Sequence, residues 1–136
     1  MEITIQVTVN APLKKVWSAW TTPEDIVQWN FASEDWCCPG ASIQLEPGGR
    51  FSYRMEAKDK SFGFDFEGEF TVVDYLKKIE FKLGEMRKVA VCFRETSDGT
   101  LVEETFQAET QNSAEQQRQG WQAILNNFKT HVESRK

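Results

Sequence analysis

The feature that most constrains this chain is a period of two that begins at Ile43 and holds for about seventy residues. Ile43 and Leu45 lead into a Pro47-Gly48-Gly49 turn. Phe51, Tyr53 and Met55 then alternate with Arg50, Ser52, Arg54 and Glu56. After Lys58-Asp59-Lys60, the residues Phe62, Phe64, Phe66, Phe70 and Val72 fall on one face, with Asp65, Glu67 and Glu69 on the other. Ile79-Phe81-Leu83 and Val89-Val91-Phe93 continue the pattern. A Ser97-Asp98-Gly99 turn opens a last strand from Thr100 to Glu109. Alternation of this kind predicts strands with one buried face, and turns this short between them predict an antiparallel meander.

A sheet with one apolar face must cover it. The segments on either side of the meander supply the cover. Ile3, Ile5, Val7 and Val9 alternate with polar residues and predict one more half-buried strand. Pro12 opens a short helix with Leu13, Val16, Trp17 and Trp20 on one face. Thr22 is placed to cap a second helix, with Pro23 in its first turn and Glu24 and Asp25 at its electropositive end. Phe31 to Gly40 reads as irregular. At the C-terminal end, Ser113 and Gln116 have the spacing of a capping box. Trp121, Ile124, Leu125, Phe128 and Val132 then form the apolar stripe of one long helix. Gly120, beside Trp121, is read as a point of close backbone approach. The expected fold is α+β. A curved antiparallel sheet of about six to seven strands wraps the long C-terminal helix, and two short helices follow the first strand.

The chain has 136 residues and 40% hydrophobic composition, which fits one domain with a real core. Its net charge of −5 and scattered basic residues exclude a broad nucleic-acid footprint. No apolar run is long enough to cross a membrane, and the first ten residues read as a strand, not as a signal peptide. The three cysteines are odd in number, and two are adjacent in Asp35-Trp36-Cys37-Cys38-Pro39-Gly40. Neighbouring Cα atoms lie about 3.8 Å apart, too close for an ordinary disulfide. This cysteine usage points to a reducing, cytoplasmic setting.

The order and spacing of several segments carry a family resemblance. They are VNAPLKKVWSAWTTPEDIVQW ending at Trp29, WNFASEDWCCP at 29–39 and GGRFSYRMEAKD at 48–59. They continue with FGFDFEGEFTVV at 62–73, VEETFQAE at 102–109 and QGWQAILNNFKTHVE at 119–133. Together they span nearly the whole chain, which resembles the START-like (SRPBCC) superfamily. The branch is the one named after the activator of heat shock protein 90 ATPase. The resemblance implies the helix-grip fold and a single domain over 1–136. It leaves the function open. Related domains bind lipids, hormones or other apolar molecules, some cyclise polyketides, and the namesake stimulates a chaperone's ATPase. Fold alone does not choose among these.

The residues themselves narrow the chemistry. A cysteine nucleophile needs a positioned histidine, and the only one, His131, lies beside the stripe of the last helix, where exposure or a helix-dipole role is common. Adjacent thiols diverge, and Cys92 lies at the parity opposite Val91 and Phe93. Zinc takes ligands in recognisable pairs, which makes a zinc site here weak; soft packing is the simpler role for the three, and a redox-sensing thiol is the alternative. The acidic row Asp65, Glu67, Glu69 reads as a solvated outer face.

Glu104 is the anomaly of the last strand. It shares parity with Val102 and Phe106, so an inward Phe106 brings a carboxylate inward too, at a cost unless it is paired or wetted. A bulge in the strand would instead turn it outward. The inward reading makes Glu104 a polar anchor in a cavity between sheet and helix. Tyr53, Phe64, Phe66, Trp121, Leu125 and Phe128 would line that cavity, with Trp36 near its mouth. The function expected is binding of a small apolar or aromatic ligand, with no metal or cofactor, as a monomer or homodimer. The alternatives are a chaperone-associated interaction module and a polyketide-cyclase-like enzyme.

Overall fold

A computed structural model describes residues 1–135. The chain runs β1 (Glu2–Val9), α1 (Leu13–Thr21), α2 (Pro23–Trp29) and β2 (Trp36–Ile43). It continues β3 (Arg50–Ala57), β4 (Gly63–Asp74), β5 (Lys78–Leu83), β6 (Arg87–Thr96), β7 (Gly99–Gln107) and α3 (Ala114–Ser134). The seven strands form one antiparallel sheet in the order β1-β7-β6-β5-β4-β3-β2. β2 to β7 are therefore the meander read from the period-two pattern. β1 adds to its far edge, and α1 and α2 carry the chain from one edge of the sheet to the other.

Alternation sets the layers. In β1, Ile3, Ile5, Val7 and Val9 are buried and their neighbours exposed, and β3 buries Phe51, Tyr53 and Met55 in the same way. α3 lies across this inner face with Leu125, Phe128 and Val132 fully buried. Its start is fixed by the expected capping box. Ser113 Oγ accepts from the Gln116 amide, and the Gln116 side chain accepts from the Ser113 amide.

The helix also closes an edge of the sheet. The outward carbonyls of Thr4, Gln6 and Thr8 accept from Arg118 Nη1 (2.9 Å), Gln122 Nε2 (3.3 Å) and Lys129 Nζ (2.6 Å). From Thr4 to Gln6 the strand advances about 6.6 Å and from Arg118 to Gln122 the helix advances about 6 Å, so these two bonds are in step; Lys129, seven residues beyond Gln122, reaches Thr8 with its long side chain. An edge strand so covered is not free to pair with another chain. The opposite edge, β2, carries Pro39 and a register shift between Cys37 and Gly40, which blunt it in another way.

Several expectations need correction. The segment expected to stay irregular up to Gly40 becomes strand at Trp36, because Trp36 and Cys37 pair with Ala57 and Glu56 before the bulge. Val72 does not share the face of Phe70. A shift between the two puts Val72 opposite Glu80 and turns Val73 inward opposite Ile79. Thr22 occupies the N-cap of α2 but makes no side-chain cap bond; its hydroxyl meets Ser18 Oγ at 3.5 Å. A side chain added at Gly120 would meet nothing within 4 Å, so no close approach requires that glycine.

His131 is the largest correction. It is buried, with its ring Nε2 2.8 Å from Asp25 Oδ1, and Arg135 Nη1 reaches the same oxygen. Lys15 Nζ donates to the Arg135 carbonyl. The cluster ties α1 and α2 to the end of α3.

Candidate functional site

Between the sheet and α3 lies a partly open cavity of about 170 Å³. Every layer contributes to its wall. Trp20 comes from α1, Trp29 and Asn30 from α2 and its cap, and Ile43 from β2. Phe51 and Tyr53 come from β3, Phe64, Phe66 and Phe70 from β4, and Ile79 and Phe81 from β5. Glu104 projects from β7, and Trp121 and Ile124 from α3. Nine of these fourteen residues are aromatic, which defines an apolar, ring-faced space.

The aromatic wall is interlocked. Trp121 stacks on Phe106 with centroids 4.0 Å apart and meets Phe66 edge-on at 6.1 Å. Phe51 contacts Tyr53, Phe66, Phe70 and Phe81. Trp20 and Trp29 approach each other at 4.9 Å, and Phe128 packs behind both. Trp29 Nε1 donates to the Ala19 carbonyl at 3.0 Å, which fixes that indole between the short helices.

Glu104 is inward. The register of β7 runs without interruption, with Val102 opposite Phe93, Glu104 opposite Val91 and Phe106 opposite Val89. On its other side Glu104 stands opposite Ile5. The carboxyl is thus flanked by aliphatic side chains. It is 6% exposed and has no hydrogen-bond or ion-pair partner among the described residues. Every fully sealed side-chain nitrogen or oxygen described does have a partner, so the Glu104 oxygens look into the cavity space. Burial pushes its pKa up to about 8. Burial also raises the Tyr53 phenol, with Cys38 adding to the rise. Asn30 donates to Met55 Sδ at 3.1 Å.

Of the residues singled out from the sequence, Tyr53, Phe64, Phe66, Glu104 and Trp121 come together around this space. Leu125 and Phe128 do not reach it. The phase of α3 turns them into the solid core, and Ile124, one position earlier, faces the cavity instead. Trp36 lies beyond the wall, in a cluster with Phe62 and Phe64 at 5.9 and 6.1 Å. Phe62 and Phe64 are 63% and 43% exposed, so this cluster is an open aromatic lip. Phe51, Phe70 and Phe81 escaped the sequence reading, although their inward parity was the available signal. Asn30 had none, since a residue just past a helix has no period.

The cysteines are free. Cys38 is buried, its Sγ 3.5 Å from the Gly40 carbonyl, and burial raises its pKa. That is the opposite of an activated thiolate. No cluster of three metal-ligating side chains occurs among the described residues.

A curled seven-stranded antiparallel sheet gripping a long C-terminal helix defines the helix-grip fold. A family model, described as activator of Hsp90 ATPase homolog 1-like protein, matches residues 10–133, and the chain belongs to that family. It is similar to the solution structure of the AHSA1-like protein from Aeromonas hydrophila. The two are 45% identical over 98% of this chain and 93% of that one, with a TM-score of 0.93. A second solution structure, from Cytophaga hutchinsonii, is 44% identical over 98% and 92% of the two chains, with a TM-score of 0.84. A crystal structure from Nitrosomonas europaea shares the fold at 18% identity, covering 98% and 95%, with a TM-score of 0.86. No curated protein matches the chain. No helix among the described residues is long and apolar enough to cross a membrane.

Proposed function

We propose that this domain binds a small apolar or aromatic ligand between its sheet and α3, with Glu104 as the polar anchor. The observation that carries the reading is Glu104 itself. A buried carboxyl without a protein partner costs free energy that a core residue would not. A ligand that hydrogen-bonds it offsets that cost. The size agrees, since an apolar cavity of about 150 Å³ accepts a benzene-sized molecule. The ligand on this scale has one ring or two small ones.

Native mass spectrometry of the protein purified from its own host tests the reading. A low-mass adduct that leaves on gentle activation supports it. A bare chain together with an empty organic extract counts against it.

One observation favours a second reading, in which the domain is a chaperone-facing interaction module. The lip of Trp36, Phe62 and Phe64 exposes apolar rings at one end of the sheet, and exposed apolar patches mark partner surfaces. Stimulation of a chaperone's ATPase by the wild-type domain, lost in Phe62→Ser, is the test of that role.

A further inference from the structure

We propose that the ligand is a ring-bearing organic base whose protonated nitrogen sits against the Glu104 carboxylate inside the aromatic wall. The proposal rests on the ligand-cavity reading above and narrows it to one chemical class.

Charge complementarity makes the choice. None of the fourteen lining residues is Lys, Arg or His. A fatty acid or any other carboxylate would enter with no counter-charge and would face Glu104. A cation meets the reverse situation. It finds a carboxyl that no other described residue engages, in a cavity whose wall also holds the rings of Trp20, Trp29, Tyr53, Phe66 and Trp121. Ring faces attract cations through their quadrupole, more strongly where water is excluded.

A purely neutral ligand needs less than this. The Tyr53 hydroxyl already offers a donor and an acceptor in the cavity wall. A carboxyl placed between Ile5 and Val91 adds a cost that only a donor of strong hydrogen bonds recovers in full.

The proton balance follows. Tyr53 and Glu104 are the two lining residues that titrate. With Glu104 pushed up to about 8, the empty cavity holds the neutral acid at pH 7. When an ammonium ion binds, the Glu104 O–H bond breaks, its proton leaves to solvent and the amine keeps its own. Binding therefore releases close to one proton per ligand, whereas a neutral ligand releases none.

Calorimetric titration of the full chain at pH 7 tests this with phenethylamine, 2-phenylethanol and phenylacetate, which share one ring. Running each in two buffers of different ionisation heat counts the protons released. The amine is expected to bind about tenfold more tightly than the alcohol, with phenylacetate weakest. Only the amine should release a proton. In Glu104→Gln, checked for folding by its thermal melt, the amine should lose its advantage and its proton release. An alcohol or carboxylate that equals the amine overturns the proposal, as does an amine advantage that survives in Glu104→Gln. The wild-type proton count stands even if that variant does not fold. Binding by the alcohol alone sinks the base and spares the ligand cavity; binding by none of the three sinks both.

Discussion

Trp121 lies flat on Phe106, with centroids 4.0 Å apart and planes 11° from parallel. This contact joins the C-terminal end of β7 to α3, two residues along the strand from Glu104. It explains why a half-polar helix holds its place over the sheet while a cavity remains beside it. Phe106 is fully buried, and Trp121 keeps one side toward the open space.

Trp121→Ala should therefore cost about 2–3 kcal/mol, less than for a fully buried tryptophan but more than for a surface one. Trp121→Phe should recover about half of the loss. Urea denaturation of the three proteins gives the comparison. Equal midpoints for wild type and Trp121→Ala would remove the stack as a structural joint.

Glu104 gives stability a specific dependence on pH. Its pKa is raised in the fold from an ordinary 4.5 to about 8. Below 4.5 the acid is protonated folded or unfolded, and its contribution is flat. Between 4.5 and 8 the native state holds the proton and the unfolded chain does not, so stability falls as pH rises. The slope is on the order of 1 kcal/mol per pH unit and ends near 8. Glu104→Gln lacks this slope. Melting temperatures at pH 5.5 and 8.5 should show the variant gaining on wild type at the higher pH. A constant difference would mean that the carboxyl is ionised in the fold throughout.

Gly120 is a helix glycine with open space where its side chain would be. Gly120→Ala should stabilise the protein by about 0.5–1 kcal/mol by reducing the freedom of the unfolded chain and improving helix propensity. Chemical denaturation reads this directly. A loss of stability would point to a contact at Gly120 that its surroundings do not contain.

The thiols should react in a defined order. Cys37 and Cys92 are half-buried, while Cys38 is 3% exposed and its pKa is raised by burial. A disulfide reagent at neutral pH should modify Cys37 and Cys92 first and Cys38 only with unfolding. Peptide mapping after partial labelling distinguishes the three. Early labelling of Cys38 would mean that β2 opens readily at its bulge.

Asp25 holds both His131 and Arg135. Asp25→Ala should cost about 1–3 kcal/mol, because it leaves the buried His131 nitrogen without its acceptor. Asp25→Asn should cost less, since it retains an oxygen at that place. Thermal melts of both variants test the order.

What the sequence disclosed follows from what periodicity can carry. Strand alternation placed the meander and turned Glu104 inward, because one buried face fixes register over many residues. The same logic failed at Val72, where a one-residue bulge reverses every later side chain, and no residue type announces it. Helix periodicity located the stripe of α3 but not its phase to within one residue. That is the difference between Ile124 at the cavity and Leu125 in the core. His131 was legible only as a residue near the end of a helix. Its partner Asp25 lies 106 positions away, a distance no local pattern bridges.

In the function proposed above, a ligand enters between the sheet and α3. The five indole N–H groups report on it within one spectrum. Trp20, Trp29 and Trp121 line the cavity, whereas Trp17 packs on Tyr75 and Phe93, and Trp36 lies on the outer lip. In a nitrogen–proton NMR titration with 2-phenylethanol or phenethylamine, the signals of Trp20, Trp29 and Trp121 should move together while that of Trp17 stays fixed. Movement confined to Trp36 and Trp17, or none at millimolar ligand, would contradict the account.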